Sequence, residues 1–502
     1  MKEARSFVPW ALASALLAAP VLAQEEPQVI SETIDVRVVN VETVVTDDDG
    51  KLVKGLTAAD FRLLVDGKET PIAYFSEISE GAAAAVPEKE IPAAPVSPGE
   101  TVGKSFLIFV DDSFSVASAR DAVLKKIASD LTLLGPNDEM AVLAFDGNKI
   151  AVLADWSDDA ALLTAALAKA RERSPRGHQL LAQMRSLEGD NDFVRVAAET
   201  VDADVAHLRS FMDLRISPEL RTQLGRTSAA MAAAVRGFKP GLGRRVLLLL
   251  TGAYSLAAGG HLLGPMITAA NRQGYTVYPV ETASSDPRAV TVLDKIAQRT
   301  GGRVASSVSN EVLQQVVADT SSYYWLGFSP TWKADDRHHR VEVELRKPGL
   351  KTRARAGFSD LSRRTELAQR AESALLFGAG EAEKRLIVQL GEPRRANRRE
   401  IEVPVTLGVP VESLALTPKA GGYLAEAPLA VASEDSNGGR ADLPTSRLQV
   451  TVKEVPPPGT YARFKLSFKL RNADQRLVFT VHDAVNGTAL WGEAQLHVQL
   501  ER

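Results

Sequence analysis

The chain has no cysteine in 502 residues. Disulfides, thiolate metal sites and lipid attachment through an N-terminal cysteine are therefore excluded, and the folded parts must be held by apolar cores. Beyond residue 22 no apolar run is long enough to cross a bilayer, which takes roughly 20 residues; Val246 to Leu250 has only strand length. An excess of positive charge is missing too. Lys and Arg number 59 against 63 Asp and Glu, a formal net charge of -4, so no global field favours a polyanion and no nucleic-acid partner is expected. The cluster Arg394, Arg395, Arg398 and Arg399 reads as a solvated turn between strands. Catalytic signatures are also lacking. The histidines show no zinc spacing, His338 and His339 are neighbours whose side chains would diverge on a strand and are not expected to bind metal, and Gly-x-Ser-x-Gly does not occur. The chain reads as a non-enzyme.

What is present begins with an export signal. Lys2 and Arg5 flank an apolar run from Phe7 to Leu22, and Val21-Leu22-Ala23 leads into the acidic Gln24-Glu25-Glu26. That order predicts a signal peptide over residues 1–23, cleaved after Ala23, with a periplasmic, cell-envelope or extracellular destination and no transmembrane segment in the mature chain. The remaining length suggests three or four domains. Residues 24–80 carry strand-like alternation with the turns Asp47-Asp48-Asp49-Gly50 and Asp66-Gly67-Lys68, and predict a β-rich module. Residues 81–103 have the Ala/Pro/Glu/Ser composition of a linker.

From Lys104 the texture changes to apolar strands alternating with amphipathic helices. Strands are expected at Ser105 to Val110, Asp138 to Phe145, Lys149 to Leu153, Arg245 to Leu250 and Tyr275 to Val280, with a sixth at Arg303 to Ser306. Helices are expected at Ala119 to Leu134, Ala160 to Ala170, Leu262 to Gln273 and Ala289 to Thr300. This predicts a Rossmann-like α/β domain over 104–320, its six-stranded, mainly parallel sheet covered on both faces. A helical insertion is expected at 171–224, because that stretch is too long for a plain loop. Residues 321–359 return to β as an extension, with Tyr323, Tyr324, Trp325 and Phe328 read as packing aromatics. Residues 360–384 form a helical connection, and 385–502 are expected to be a C-terminal β-sandwich.

One turn carries chemistry. Phe109-Val110-Asp111-Asp112-Ser113-Phe114-Ser115 ends the first apolar strand just before a helix, which in an open parallel sheet lies at the ligand-binding crevice. Asp111, Ser113 and Ser115 alternate, so one carboxylate and two hydroxyls can converge as oxygen ligands for a hard divalent cation. The same residue types also suit a plain helix cap and turn. These features resemble the von Willebrand factor type A family, whose metal-ion-dependent adhesion site begins Asp-x-Ser-x-Ser. The resemblance implies Mg²⁺, with Mn²⁺ as a substitute, held by Asp111, Ser113, Ser115 and a threonine from a loop ahead of a later helix, for which Thr227 is the candidate. It also implies a protein partner that completes the coordination through an acidic residue. Where the family carries Asp after its fourth strand, this chain reads Leu249-Leu250-Thr251-Gly252-Ala253; Gly252 offers no side-chain ligand, so any cation is held weakly. Asp146, from a neighbouring strand end, is a possible substitute for that carboxylate. The segments around Lys54-Gly55-Leu56-Thr57, Tyr324 to Pro330 and Arg346 to Leu350 look like those flanking the type A domain in a bacterial group described mainly from Acidobacteria. Two functions are expected to compete: an exported protein-binding module using a degenerate cation site, and a metal-independent envelope scaffold whose interactions run through its β domains.

Overall fold

The computed structural model describes residues 38–83, 101–180, 182, 217–237, 243–252, 260–283, 290–305, 311–330, 332, 334–377, 386–435, 440–483, 485–486 and 488–498. The expected signal peptide, most of the linker and residues 183–216 of the expected insertion lie outside the described residues. No helix among those described is long and apolar enough to cross a membrane.

The first strands are β1 (Val39–Asp47), β2 (Phe61–Val65), β3 (Lys68–Glu69), β4 (Tyr74–Ser79) and β5 (Ala82–Ala83). Asp66 and Gly67, with φ of 51° and 75°, form the two-residue turn between β2 and β3, and paired positive φ values match the twist of the flanking strands.

The α/β part follows as β6 (Lys104–Asp111), α1 (Ala117–Ser129), β7 (Glu139–Phe145), β8 (Ile150–Ser157), α2 (Ala160–Arg171), α3 (Pro218–Gly237), β9 (Arg244–Thr251), α4 (Gly264–Gln273), β10 (Tyr275–Glu281), α5 (Val290–Arg299) and α6 (Val312–Asp319). The sheet runs β10-β9-β6-β7-β8. Neighbours are parallel except β8, which returns antiparallel on β7. Among the described residues the expected six strands are five, and the sixth is represented by one parallel bridge between Val280 and Ala305. Alternation along β6 explains the two covered faces. Phe106, Ile108 and Val110 share a core with α1, α2 and α6, while Leu107 and Phe109 share one with α3, α4 and α5, because successive strand side chains point to opposite faces.

Next come β11 (Ser322–Phe328), β12 (His338–Leu345), β13 (Leu350–Ala354) and β14 (Gly357–Ser359). Sequence reading sets residues 24–80 and 321–359 apart, but their strands interleave. β11 lies between β1 and β4, β13 pairs with β1, and β12 pairs with β2. One apolar core, including Val41, Phe61, Phe75, Tyr324 and Phe328, draws on both segments. The α/β part is therefore inserted into this β unit. Local periodicity cannot reveal such a split, since pairing partners lie hundreds of residues apart.

Helix α7 (Arg363–Phe377) lays Leu367, Ala371 and Leu375 against Ala430, Ala432 and Val478. The rest consists of β15 (Ile387–Leu390), β16 (Arg394–Arg395), β17 (Glu400–Pro410), β18 (Thr417–Lys419), β19 (Gly422–Asp435), β20 (Arg440–Val452), β21 (Tyr461–Arg471), β22 (Gln475–His482) and β23 (Ala489–Leu496). All pairings here are antiparallel: β17 with β15, β16 and β21, β19 with β18, β20 and β22, and β22 with β23. Ile401, Val403 and Val405 of one sheet share a core with Leu429, Leu477 and Phe479 of the other.

Candidate functional site

The chain order of the parallel sheet fixes where a site can form. From β6 the connections run outward to β7 and β8; from β9 they run the other way to β10. The reversal leaves a crevice between the carboxyl ends of β6 and β9, where ligands bind in open α/β sheets. Asp111 ends β6 and Thr251 ends β9, and the two meet: Thr251 Oγ1 donates to Asp111 Oδ2 at 2.8 Å. The other oxygen, Asp111 Oδ1, accepts the Ser113 backbone N–H at 3.0 Å. Ser113 Oγ accepts from Gln223 Nε2 at 2.9 Å, and Ser115 Oγ lies 2.8 Å from Thr282 Oγ1. Thr282 follows β10, and its own N–H donates to Thr251 O. Asp111, Ser113, Ser115, Thr251 and Thr282 are all buried.

The residues between them are fixed separately. Asp112 is 2 % exposed and accepts from Arg120 Nη1 at 2.7 Å and Arg173 Nε at 2.6 Å. Arg120, fully buried, also donates to the carbonyls of Arg171 and Arg173. A buried carboxylate is tolerated only when paired in this way, and the pairing ties the loop to the end of α2. Two glycines let backbone close over the site. A Cβ on Gly177 would meet Ser115 O at 2.3 Å, and one on Gly147, already at φ +97°, would meet Ser113 Oγ at 3.1 Å.

Thr227 is not on a loop ahead of a helix. It sits inside the 20-residue α3, which starts at Pro218 behind Ser217, whose Oγ accepts the Leu220 N–H. Capping is thus done by Ser217, and Thr227 falls four residues after Gln223, on the helix face that reaches Ser113. Threonine within a helix commonly donates back to the i−4 carbonyl. Here Thr227 Oγ1 is buried and has no hydrogen-bond partner among the described residues, and neighbouring Ser228 Oγ shares that state. Asp146 is also corrected. Its Oδ1 accepts the N–H groups of Asn148 and Lys149, both at 2.8 Å, so it serves its own hairpin turn. Sequence reasoning missed Gln223, Thr251 and Thr282; Thr251 ends one apolar strand and Thr282 follows another, but only the strand order brings them to the Asp111 loop. A cleft of about 420 Å³ opens beside this edge, between Asn148, Lys149 and Arg226 on one side and Asp474, Gln475 and His497 of the C-terminal sheets on the other.

A second group of ligand-bearing side chains lies in the β unit. Asp335, His339 and Asp360 bring one ligand atom each within 4.8 Å of the others, an arrangement able to hold a metal ion. His338 and His339 do diverge, His338 exposed and His339 buried, but His339 needs no histidine neighbour. Its partners come from the loop before β12 and from the end of β14. His339 thus belongs to a group able to hold a metal ion, which the adjacent histidine pair by itself does not suggest. Asp66 lies beyond the ring, its Oδ2 at 2.7 Å from His339 Nδ1. Burial alone would raise the Asp66 carboxyl, but hydrogen bonds from His339 and the Arg340 N–H, together with the charges of His339 and Arg337, hold it below its ordinary value.

No family model matches the sequence, and no curated protein matches it. Among solved structures, the von Willebrand factor domain of the type V pili tip protein Mfa5 from Porphyromonas gingivalis is similar over 43% of this chain and 94% of that one, at 9% identity and TM-score 0.25. The PilB minor pilin from Streptococcus sanguinis is similar over 57% of this chain and 87% of that one, at 8% identity and TM-score 0.24. The SpRpn10 VWA domain is similar over 39% and 95%, at 9% identity and TM-score 0.18.

Proposed function

We propose that this chain is an exported binding module with a von Willebrand factor type A-like, Rossmann-type domain and a C-terminal β-sandwich, which recognises a protein partner at the Asp111 edge of its parallel sheet. The observation that carries the reading is the buried Asp111 carboxylate at the sheet's reversal point, held by the Thr251 hydroxyl and the Ser113 N–H, together with a Thr227 hydroxyl that is buried and without a partner among the described residues. A buried hydroxyl lacking a hydrogen bond costs about 1–3 kcal/mol, and a bound ion or its water would relieve that cost. The donor set fits a hard cation in chemistry: Asp111, Ser113, Ser115 and Thr227 would hold Mg²⁺, with Mn²⁺ as substitute, and it would offer a coordination position to an acidic side chain of the partner. With one carboxylate and Gly252 where the family has a second, the expected affinity is low. Asp112, Arg120 and Arg173 keep the loop in place, and Gln223 and Thr282 orient the two serines. The role is binding and not catalysis, since an amide and a hydroxyl do not activate a serine as nucleophile.

The metal-independent scaffold reading has one observation in its favour. Asp111, Ser113 and Ser115 already make hydrogen bonds within the chain, to Thr251, Gln223 and Thr282. Calorimetric titration of the mature chain with Mg²⁺ and Mn²⁺ separates the two, beside Asp111→Ala and Thr227→Val. Millimolar binding that Asp111→Ala abolishes and Thr227→Val weakens is the expected result. Absence of binding at millimolar cation, with and without the partner, together with a partner interaction indifferent to chelator, would establish the scaffold reading instead.

A further inference from the structure

We propose that Asp335, His339 and Asp360 form a second cation site, one that takes a first-row divalent transition-metal ion, with Zn²⁺ the best fit. It is independent of the Asp111 loop and lies in the β unit, at the joint of the loop before β12, the first residues of β12 and the end of β14.

The imidazole of His339 is fixed from several sides. Its ring stacks on Trp332 with centroids 4.2 Å apart and planes at 23°, and on Phe358 at 5.4 Å and 28°. Nδ1 faces Asp66 Oδ2 at 2.7 Å, the short distance of a charge-assisted hydrogen bond. Asp66 is held in turn, because its Oδ1 accepts the Arg340 N–H at 2.9 Å and its own N–H donates to Arg340 O. A neutral imidazole has one N–H. In the tautomer with that proton on Nδ1 toward Asp66, the one that metal ligation requires, Nε2 presents its lone pair to Asp335 Oδ1 at 3.3 Å, while an Asp360 oxygen lies within 4.8 Å of both. A lone pair set against two carboxylates is repulsive unless positive charge lies between them. A second proton on the ring or a metal ion can supply it.

Distance favours the metal. A proton shared between imidazolium and carboxylate draws nitrogen and oxygen to about 2.7–2.9 Å. A tetrahedral ion with bonds of about 2.0 Å to nitrogen and oxygen sets its ligands about 3.3 Å apart, which is the separation of His339 Nε2 and Asp335 Oδ1. The pattern of a carboxylate orienting a histidine whose other nitrogen binds the ion is the usual support of a histidine–metal bond. One imidazole with two carboxylates suits Zn²⁺ better than Mg²⁺ or Ca²⁺, which take oxygen alone. Asp360 and His339 are buried and Asp335 is exposed, so three protein ligands leave a fourth position open on the solvent side at Asp335.

The test uses the full mature chain in an Asp111→Ala background, which removes the first candidate site. Zn²⁺ is titrated in competition with a chromophoric chelator of micromolar affinity. One equivalent retained by the chain is expected, with an X-ray absorption spectrum showing nitrogen and oxygen ligands and an imidazole contribution. Asp335→Asn, at an exposed position, should weaken binding while leaving the circular dichroism spectrum unchanged. Asp66→Asn, which touches no metal ligand position but frees the ring, should cost about 10–100-fold in affinity. The proposal is overturned if Zn²⁺ is not retained, or if His339→Gln retains it equally. It is equally overturned if nitrogen NMR in the presence of Zn²⁺ shows both nitrogens of His339 protonated at neutral pH, since the ring would then be a proton bridge between Asp66 and Asp335.

Discussion

The two proposed cation sites differ in how the chain builds them. The first takes its leading residues from one turn, Asp111 to Ser115, and surrounds one carboxylate with hydroxyls. The second takes His339 and Asp335 from one side of a turn, Asp360 from the end of another strand, and Asp66 from 273 residues earlier. One is a loop shaped by its own backbone and by a buried ion network; the other is a joint that exists only when distant strands are paired. A contiguous loop can keep its form whether or not an ion is bound. A joint made of three segments gains stability directly from whatever bridges them, because binding only to the folded form shifts the folding equilibrium.

The comparison breaks most sharply at Arg120. Replacing it with Met leaves the buried Asp112 with Arg173 alone, and removal of one partner from a buried ion pair costs about 3–5 kcal/mol. Urea unfolding should show that loss, and the Mg²⁺ response of the Asp111 loop should vanish while Zn²⁺ binding in the β unit survives. A loss below about 1 kcal/mol would mean that the ion network does not hold the loop.

A smaller effect tests the contact between the α/β part and the β unit. Asp319, at the end of α6, binds Arg353 of β13 through both oxygens, at 2.6 and 2.8 Å, and accepts from Tyr278 Oη at 2.6 Å. Burial would raise its carboxyl, but the Arg353 charge and hydrogen bond, helped by Tyr278 and Arg244, bring it below its ordinary value. A folded value below the unfolded one means that the contribution is fully present above the unfolded value, roughly pH 4, and is lost as pH falls through the depressed folded value. Asp319→Asn should cost about 1.5–3 kcal/mol at neutral pH and flatten the loss of stability on acidification. An unchanged acid limb in thermal unfolding would assign that limb to other carboxylates.

The smallest effect sharpens the contrast at the first site. Gly252→Asp puts a second carboxylate beside Asp111, and added ligand charge should strengthen Mg²⁺ binding by about tenfold or more. In chelator the same variant should be less stable than the parent, because neighbouring carboxylates repel. Calorimetry and thermal unfolding, each with and without Mg²⁺, read both signs. Zn²⁺ affinity should not move.

Much of the α/β part was legible from sequence, because apolar strands such as Phe106 to Val110 and helices with one apolar face write their burial into local periodicity. The Asp111 turn was legible for the same reason. The start of α3 was not, since Gly225 looks like a break; inside the helix nothing lies within 4 Å of where its Cβ would be, and packing of Leu220, Leu224 and Met231 outweighs a glycine cost of about 1 kcal/mol. The joint around His339 was illegible on principle. Asp335 and His339 are four residues apart, but Asp360 joins them only through the pairing of β12 with β14, and Asp66 lies 273 residues from His339 across the inserted part, so local periodicity does not show which of them meet.

That insertion has a mechanical consequence. The chain leaves the β unit past β5 and returns into β11, and Glu80 N donates to Ser321 O across the two crossings, while Val102 N donates to Gly81 O on the outgoing side and Arg244 N to Gly103 O at the base of β9 and β6. A pull exerted on the Asp111 edge would therefore reach the β unit along two neighbouring tethers. β11 is flanked by β1 and β4 through full antiparallel registers, so tension along it loads several backbone hydrogen bonds in shear at once, and peeling them singly is not available. The α/β part is thus fastened to the β unit where the chain leaves and re-enters it, side by side at the Glu80–Ser321 bond.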